Sequence, residues 1–96
     1  MRRTTHLVED SVFRNVPERL ARQLLELAAR RSPEARIDGG LELAVSQAEL
    51  ARMLGASREI VSRHLSLWRE AGLVELGRER IVLRDRAALD RLSTGA

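Results

Sequence analysis

Two arginines, a glutamate and a serine lie close together in the middle of the chain, at Arg58, Glu59, Ser62 and Arg63. Arginine can donate two hydrogen bonds to O6 and N7 of guanine, and glutamate can accept one from N4 of cytosine. Presented on one side of a helix, such side chains can read about three base pairs of duplex DNA. The alternative is an ordinary solvated face whose charges form ion pairs along the helix.

The helix that carries these residues has one polar face and one apolar face. On a helical wheel with about 100° per residue, residues 58–71 divide into two arcs that do not overlap. The polar arc also contains Ser66, Arg69 and Glu70. The apolar arc is expected to face the core, and it contains Ile60, Val61, His64, Leu65, Leu67, Trp68 and Ala71. We therefore expect Trp68 to anchor the core and His64 to lie in it or at its edge, rather than act as a functional group.

A shorter helix and a tight turn precede this helix. Ser46 and Glu49 are three residues apart, as in a capping box that begins a helix. Ala51 is small where two crossing helices approach, Gly55 suits a turn that needs positive φ, and Val61 faces back into the crossing. This spacing predicts a DNA-binding helix-turn-helix. An ordinary helical hairpin is the alternative.

The rest of the chain predicts a single domain over residues 16–92, after a lead-in or hinge segment over residues 1–15. A first helix begins at Val16 and Pro17, with Asn15 as its cap. Residues 32–40 are typical of a loop. A short strand over 41–45, a hairpin over 73–76 and 80–83, and a last helix over 86–92 follow. In the short helix, the residues expected to face inward are Leu50, Met53 and Leu54.

Two more arginines flank the tip of the predicted hairpin. Arg78 and Arg80 stand on either side of Glu79, next to Gly77. Arginines at such a tip can contact the phosphates of a duplex, which carry no sequence information themselves. The alternative is solvated loop charge.

Composition excludes several classes of function. The chain has 96 residues and 17 basic residues, all of them arginine, with a net charge of +3. That charge permits a nucleic-acid partner without requiring one. With no cysteine and two distant histidines, His6 and His64, no metal or cofactor site is expected. No apolar run approaches the ~20 residues of a membrane helix, no set of residues indicates catalysis, and the lack of cysteine fits the cytoplasm.

The segment Gly55 to Arg63, GASREIVSR, resembles the recognition segment of the C-terminal domain of the Crp/Fnr transcription regulators. Leu73 to Arg78 is similar to the wing of that family, and Pro17 to Ala28 to its first helix. The resemblance implies a mainly α, winged helix-turn-helix fold. It implies that Arg58, Glu59, Ser62 and Arg63 read bases of a half-site similar to TGTGA. The predicted phosphate contacts are Ser46, Gln47, Ser57, Ser66, Arg78 and Arg80.

Family resemblance also suggests partners. Intact members bind palindromic operators as dimers and carry an N-terminal effector-binding domain, for which 96 residues leave no room. Because the apolar arc of the recognition helix is expected to be used in the core, we expect this chain to be a monomer or a weak dimer. The loop over 32–40 matches a surface that some activators present to RNA polymerase. A winged-helix module that binds an acidic protein partner remains the alternative, and no effector or cofactor is assigned.

Overall fold

The first helix begins at Val16, and the computed structural model describes residues 16–30, 36–37 and 39–94. The lead-in segment over 1–15, including the predicted cap Asn15, lies outside the described residues. In chain order the elements are α1 (Val16–Ala29), β1 (Arg36–Ile37), β2 (Gly40–Leu43), α2 (Gln47–Leu54), α3 (Arg58–Glu70), β3 (Val74–Gly77), β4 (Arg80–Leu83) and α4 (Arg86–Ser93).

Helix α1 supplies an apolar stripe to the core and polar contacts to two other helices. Arg19 donates a hydrogen bond to the main-chain oxygen of Leu54 at the end of α2. Arg22 Nη2 donates to the main-chain oxygen of Ser93, the last residue of α4, at 2.8 Å. Because the last carbonyls of a helix have no partner within it, α1 satisfies one carbonyl in each of these helices. Its buried residues recur at helical spacing: Val16, Leu20, Ala21, Leu24 and Ala28.

The turn between α2 and α3 has the geometry that the sequence predicts. Ser46 and Glu49 form the capping box at the start of α2. Gly55 ends that helix in the left-handed region, at φ 68° and ψ 31°. A Cβ at this glycine would meet no atom within 4 Å, so the positive φ and not the available space favours glycine. Ala51 and Val61 are buried where the two helices pack together.

Helix α3 is fixed by a serine cap and by three large core residues. The hydroxyl of Ser57 accepts a hydrogen bond from the backbone N–H of Ile60 at 3.2 Å. Val61 and Leu65 are fully buried, and Trp68 is 7% exposed, which confirms its predicted role as a core anchor. Apolar residues at this spacing hold one face of α3 against the domain and leave the opposite face in solvent.

Three predictions of burial, those for Met53, Leu67 and Ala71, are wrong. Met53 of α2 was expected to face inward but is 50% exposed, and Leu67 of α3 is 55% exposed. Ile60 and His64 are only half-buried, and Ala71 is exposed. The apolar arc of α3 is therefore wider than the surface that the neighbouring elements cover. The premise that the core uses the whole arc, on which we expected a monomer or a weak dimer, does not hold.

The strands form one four-stranded antiparallel sheet in the order β1-β2-β4-β3. β4 lies between β2 and β3, with Leu83 opposite both Leu41 and Val74. The predicted hairpin is thus joined to the rest of the domain through β2. Residues 32–40 are not entirely a loop, because Arg36 and Ile37 pair with the first residues of β2.

The elements confirm the prediction of a mainly helical winged helix-turn-helix. A single apolar core joins α1, the two crossing helices, the sheet and α4, where Leu89 is fully buried. The proposed domain limits of 16–92 remain a prediction. None of the helices in the described part of the chain has the length and apolar character needed to cross a membrane.

Candidate nucleic-acid interface

The first two turns of α3 present three charged side chains to solvent. Arg58, Glu59 and Arg63 are all exposed. Arg58, Glu59 and the half-buried Ser62 line a surface concavity. The structure therefore places the four predicted base-reading residues on one helix, and the side chain of Ser62 is less exposed than the other three.

None of the three charged side chains is neutralised by the described residues. In the described part of the chain, ion pairs join Arg80 to Glu42 and Arg84 to Glu75, and none of these four residues belongs to α3. The solvated ion pairs along the helix that were the alternative explanation are therefore absent from this part of α3. An external ligand would not have to break internal ion pairs to reach these groups.

Ser62 is linked to Gln47, the first residue of α2. The hydroxyl of Ser62 donates a hydrogen bond to Oε1 of Gln47. Sequence reasoning gave the two residues separate roles, one in reading bases and one in contacting phosphate. The structure brings them together, and the donor of the Ser62 hydroxyl is already used within the protein.

Two of the three predicted phosphate-contacting serines, Ser46 and Ser57, are helix caps. The hydroxyl oxygen of Ser46 accepts from the backbone N–H of Glu49 at 3.1 Å, and that of Ser57 accepts from Ile60. A serine hydroxyl that accepts such a bond retains its own O–H donor. Ser46 and Ser57 can therefore cap a helix and contact an anion at once. Ser66 is half-buried, one turn beyond Ser62.

The two wing arginines differ in their surroundings. Nη1 of Arg80 lies 3.0 Å from Oε2 of Glu42 in β2, an ion pair that sequence reasoning missed because 38 residues separate the partners. Arg78 is exposed, and no ion pair between described residues involves it. The turn residue Glu79 has φ 55°. The two arginines thus present one unpaired and one paired charge near the wing tip.

His64 lies at the edge of the core, as predicted. It is half-buried in α3 beside Arg63. Loss of hydration on burial lowers the pKa of His64 below the ordinary value of 6.5, and the positive charge of Arg63 lowers it further. The imidazole is therefore neutral at pH 7.

This lowered pKa predicts a loss of stability in mild acid. Below about pH 6.5 the unfolded chain binds a proton at His64 more readily than the folded chain, so the free energy of unfolding falls as the pH decreases. A His64→Gln variant lacks this contribution, and its melting temperature should fall less between neutral pH and about pH 5.5. Thermal melting of both proteins across this range checks the prediction, and equal pH dependence would contradict it.

The helix pair, the wing and the exposed polar face define a winged helix-turn-helix domain of the DNA-binding, transcription-regulator class. Residues 18–92 match the model of the Crp-like helix-turn-helix domain. The chain belongs to this family, which is a family of regulators and not of enzymes. Among the described residues, no cluster of three or more histidine or acidic side chains could hold a metal ion.

Two relatives of this chain are global transcription regulators. The CRP-like cAMP-activated global transcriptional regulator of Mycobacterium tuberculosis is 34% identical over 93 residues, covering 95% of this chain and 41% of that protein. The cAMP-activated global transcriptional regulator Vfr of Pseudomonas aeruginosa is 37% identical over 76 residues, 79% of this chain and 35% of its own length. The chain thus covers 35–41% of the length of these two relatives.

Solved structures of the family share the fold. A CRP-family transcriptional regulator from Thermus thermophilus superimposes with a TM-score of 0.74 at 34% identity, over 91% of this chain and 45% of that one. The catabolite activator protein of the same organism gives a TM-score of 0.73 at 29% identity, over 98% of this chain and 41% of that one.

Proposed function

We propose that this domain binds duplex DNA in a sequence-specific manner, with the recognition helix over 57–71 in the major groove. The observation that carries the proposal is the exposed, unpaired set of Arg58, Glu59 and Arg63 on the first two turns of α3. Recognition helices of this kind read bases with their N-terminal residues. Val61, Leu65 and Trp68 bury the opposite face of this helix in the core, so the face that carries the three charges is turned toward solvent.

The three charges match the chemistry of base edges. Arg58 and Arg63 each suit O6 and N7 of a guanine, and Glu59 suits N4 of a cytosine. A carboxylate beside DNA repels the phosphates, so Glu59 lowers affinity for every sequence unless it meets a base donor. This favours a DNA reader over a module that binds an acidic protein with the same face. By family resemblance the half-site is similar to TGTGA.

Phosphate contacts orient the helix in the groove. The capping serines retain hydroxyl donors close to the N-termini of α2 and α3, where the helix dipoles favour anions. The wing arginines supply positive charge farther along the backbone. The proposed set is Ser46, Gln47, Ser57, Ser66, Arg78 and Arg80.

Two copies of the domain, each on one half-site, match the palindromic operators expected from the family resemblance. The half-exposed side chains of Ile60, His64 and Leu67 leave part of α3 uncovered, but nothing in this geometry specifies a dimer. The segment over 32–40, by resemblance, is proposed to contact RNA polymerase in an activator. Its strand β1, which pairs with β2, gives that segment a fixed point on the sheet.

Selection of bound duplexes from a random pool tests the function. The selected duplex and a scrambled duplex of the same composition are then compared by fluorescence anisotropy at several salt concentrations. The selected duplex should bind at least ~1,000-fold more tightly, within the usual range for specific recognition. Equal affinity for both duplexes would overturn specific binding. An affinity for an acidic polypeptide as high as that for the selected duplex would support the protein-binding alternative.

The wing arginines should affect the salt dependence of binding. Each phosphate contact releases counterions, so Arg78→Ala and Arg80→Ala should each reduce the slope of log K against log salt by about one unit. The loss should be similar on selected and scrambled duplexes, because phosphates carry no sequence. Arg91→Ala, which removes an exposed charge from α4, is the matched control and should leave the slope unchanged. An unaltered slope for Arg78→Ala would make this arginine a solvated loop charge.

A further inference from the structure

The hydrogen bond between Ser62 and Gln47 joins the two helices of the DNA-binding unit through their polar faces. We infer that Ser62 is a positioning residue that orients Gln47 toward a DNA phosphate, and that it does not read a base. The inference rests on the proposed function, since it assigns roles within the same interface. It revises the role that the sequence predicted for Ser62.

The donors and acceptors of the pair support this assignment. A serine hydroxyl has one hydrogen to donate, and that of Ser62 goes to Oε1 of Gln47. The amide of Gln47 has two further donors on Nε2, and no hydrogen bond between described side chains uses them. The link therefore fixes the acceptor end of the amide against α3 and leaves the donor end for an external acceptor.

The position of Gln47 indicates what that acceptor is. Gln47 is the first residue of α2, directly after the cap Ser46, at the end of the helix where backbone N–H groups lack partners within the helix. The helix dipole and these donors favour an anion at that end. A phosphate of a duplex bound by α3 supplies the anion. Gln47 and the hydroxyl of Ser46 are then neighbouring donors at the start of α2.

The consequence is a fixed spacing between backbone contact and base contact. Gln47 reaches its phosphate from α2, while Arg58 and Arg63 reach bases from α3. Because the amide is tied to Ser62, which lies next to Arg63 in the chain, the phosphate contact and the base contacts keep one relative position. A free glutamine would have to lose three rotatable bonds of freedom on binding.

Binding measurements on four variants test the inference. Ser62→Ala should weaken binding to selected and scrambled duplexes alike, by about 3-fold, and Gln47→Ala by about 10-fold. The double variant should be no weaker than Gln47→Ala alone, because the two residues act as one unit. Gln47→Glu keeps an acceptor for Ser62 but replaces the donor by a negative charge, and it should lose more than 10-fold on both duplexes.

Two controls separate positioning from packing. Ser66→Ala removes the same kind of hydroxyl one turn later. Because no hydrogen bond among the described residues joins Ser66 to Gln47, the losses of binding free energy from Ser66→Ala and Gln47→Ala should add. Ser62→Thr retains the hydroxyl and should bind both duplexes as tightly as the unaltered protein, unlike Ser62→Ala. Melting temperatures show whether each variant is folded, and replacing the contacted phosphate by a neutral methylphosphonate should abolish the effect of Gln47→Ala.

Three results would overturn the inference. In the first, Ser62→Ala loses the preference at one base pair but keeps its affinity for the scrambled duplex, as expected for a residue that reads a base. Additive losses from Ser62→Ala and Gln47→Ala would show that the residues act separately. Normal binding by Gln47→Glu would show that no phosphate lies there. Failure of the proposed function has a different signature, since the unaltered protein would then not distinguish the two duplexes.

Discussion

Arg63→Ala is expected to weaken binding to a selected duplex by about 1–3 kcal/mol and to relax the preference at one guanine. The physical reason is the loss of a bidentate donor from an exposed side chain that has no ion pair within the described residues. Arg58→Ala should have an effect of the same size at a different base pair. Anisotropy titrations with duplexes that carry each single substitution of the half-site measure both effects.

Arg69→Ala is the matched control for these variants. Arg69 is an exposed arginine on the same polar arc, but it lies in the last turn of α3, away from the N-terminal residues that we propose read bases. Its replacement removes the same charge and should leave base preference unaltered. If Arg63→Ala weakens binding to selected and scrambled duplexes equally, Arg63 contacts phosphate and the base-reading assignment is wrong.

Trp68→Ala is expected to reduce the free energy of unfolding by about 3–5 kcal/mol. The indole is 7% exposed and packs in the core that α3 shares with α1 and the sheet, so its removal leaves a large cavity under the recognition helix. Such a loss is a large part of the total stability of a small domain. Urea unfolding followed by circular dichroism measures it, since the variant lacks the only tryptophan.

The adjacent residue provides the comparison for Trp68. Leu67 lies on the same helix but is 55% exposed, so Leu67→Ala should change stability by no more than about 0.5 kcal/mol. The sequence predicted both residues to face the core, and only the structure separates them. Equal losses for the two variants would mean that the side of α3 carrying Leu67 is covered in solution.

The helices, the wing hairpin and the turn between α2 and α3 could be predicted because their signals are local, whereas the two-residue strand β1 carries no such signal. The capping box of Ser46 and Glu49, the left-handed Gly55 and the cap Ser57 all act within about four residues of the chain. Geometry over so short a distance depends little on the rest of the domain. The exposed polar face of α3, which we propose reads bases, follows equally from helical periodicity, because the period decides which side chains share one side of the helix.

The contacts that were missed join residues distant in the chain. Arg19 reaches Leu54 across 35 residues, and Arg80 reaches Glu42 across 38. No periodicity encodes which arginine finds which oxygen, since this depends on how the elements pack. The same holds for the width of the covered face of α3, because a helical wheel shows which residues are apolar but not how far neighbouring elements extend over them.

The hydrogen bond from Arg19 to the end of α2 bears on protein engineering. Its donor lies on α1, which two strands, β1 and β2, separate from α2 in the chain. A graft of residues 46–71 onto another scaffold would carry the caps, Gly55 and the exposed polar face of α3, yet it would leave the Leu54 carbonyl without its guanidinium donor. A transfer of this helix pair therefore has to replace that donor, whereas exchanging exposed side chains of α3 within the intact domain keeps the Arg19 hydrogen bond in place.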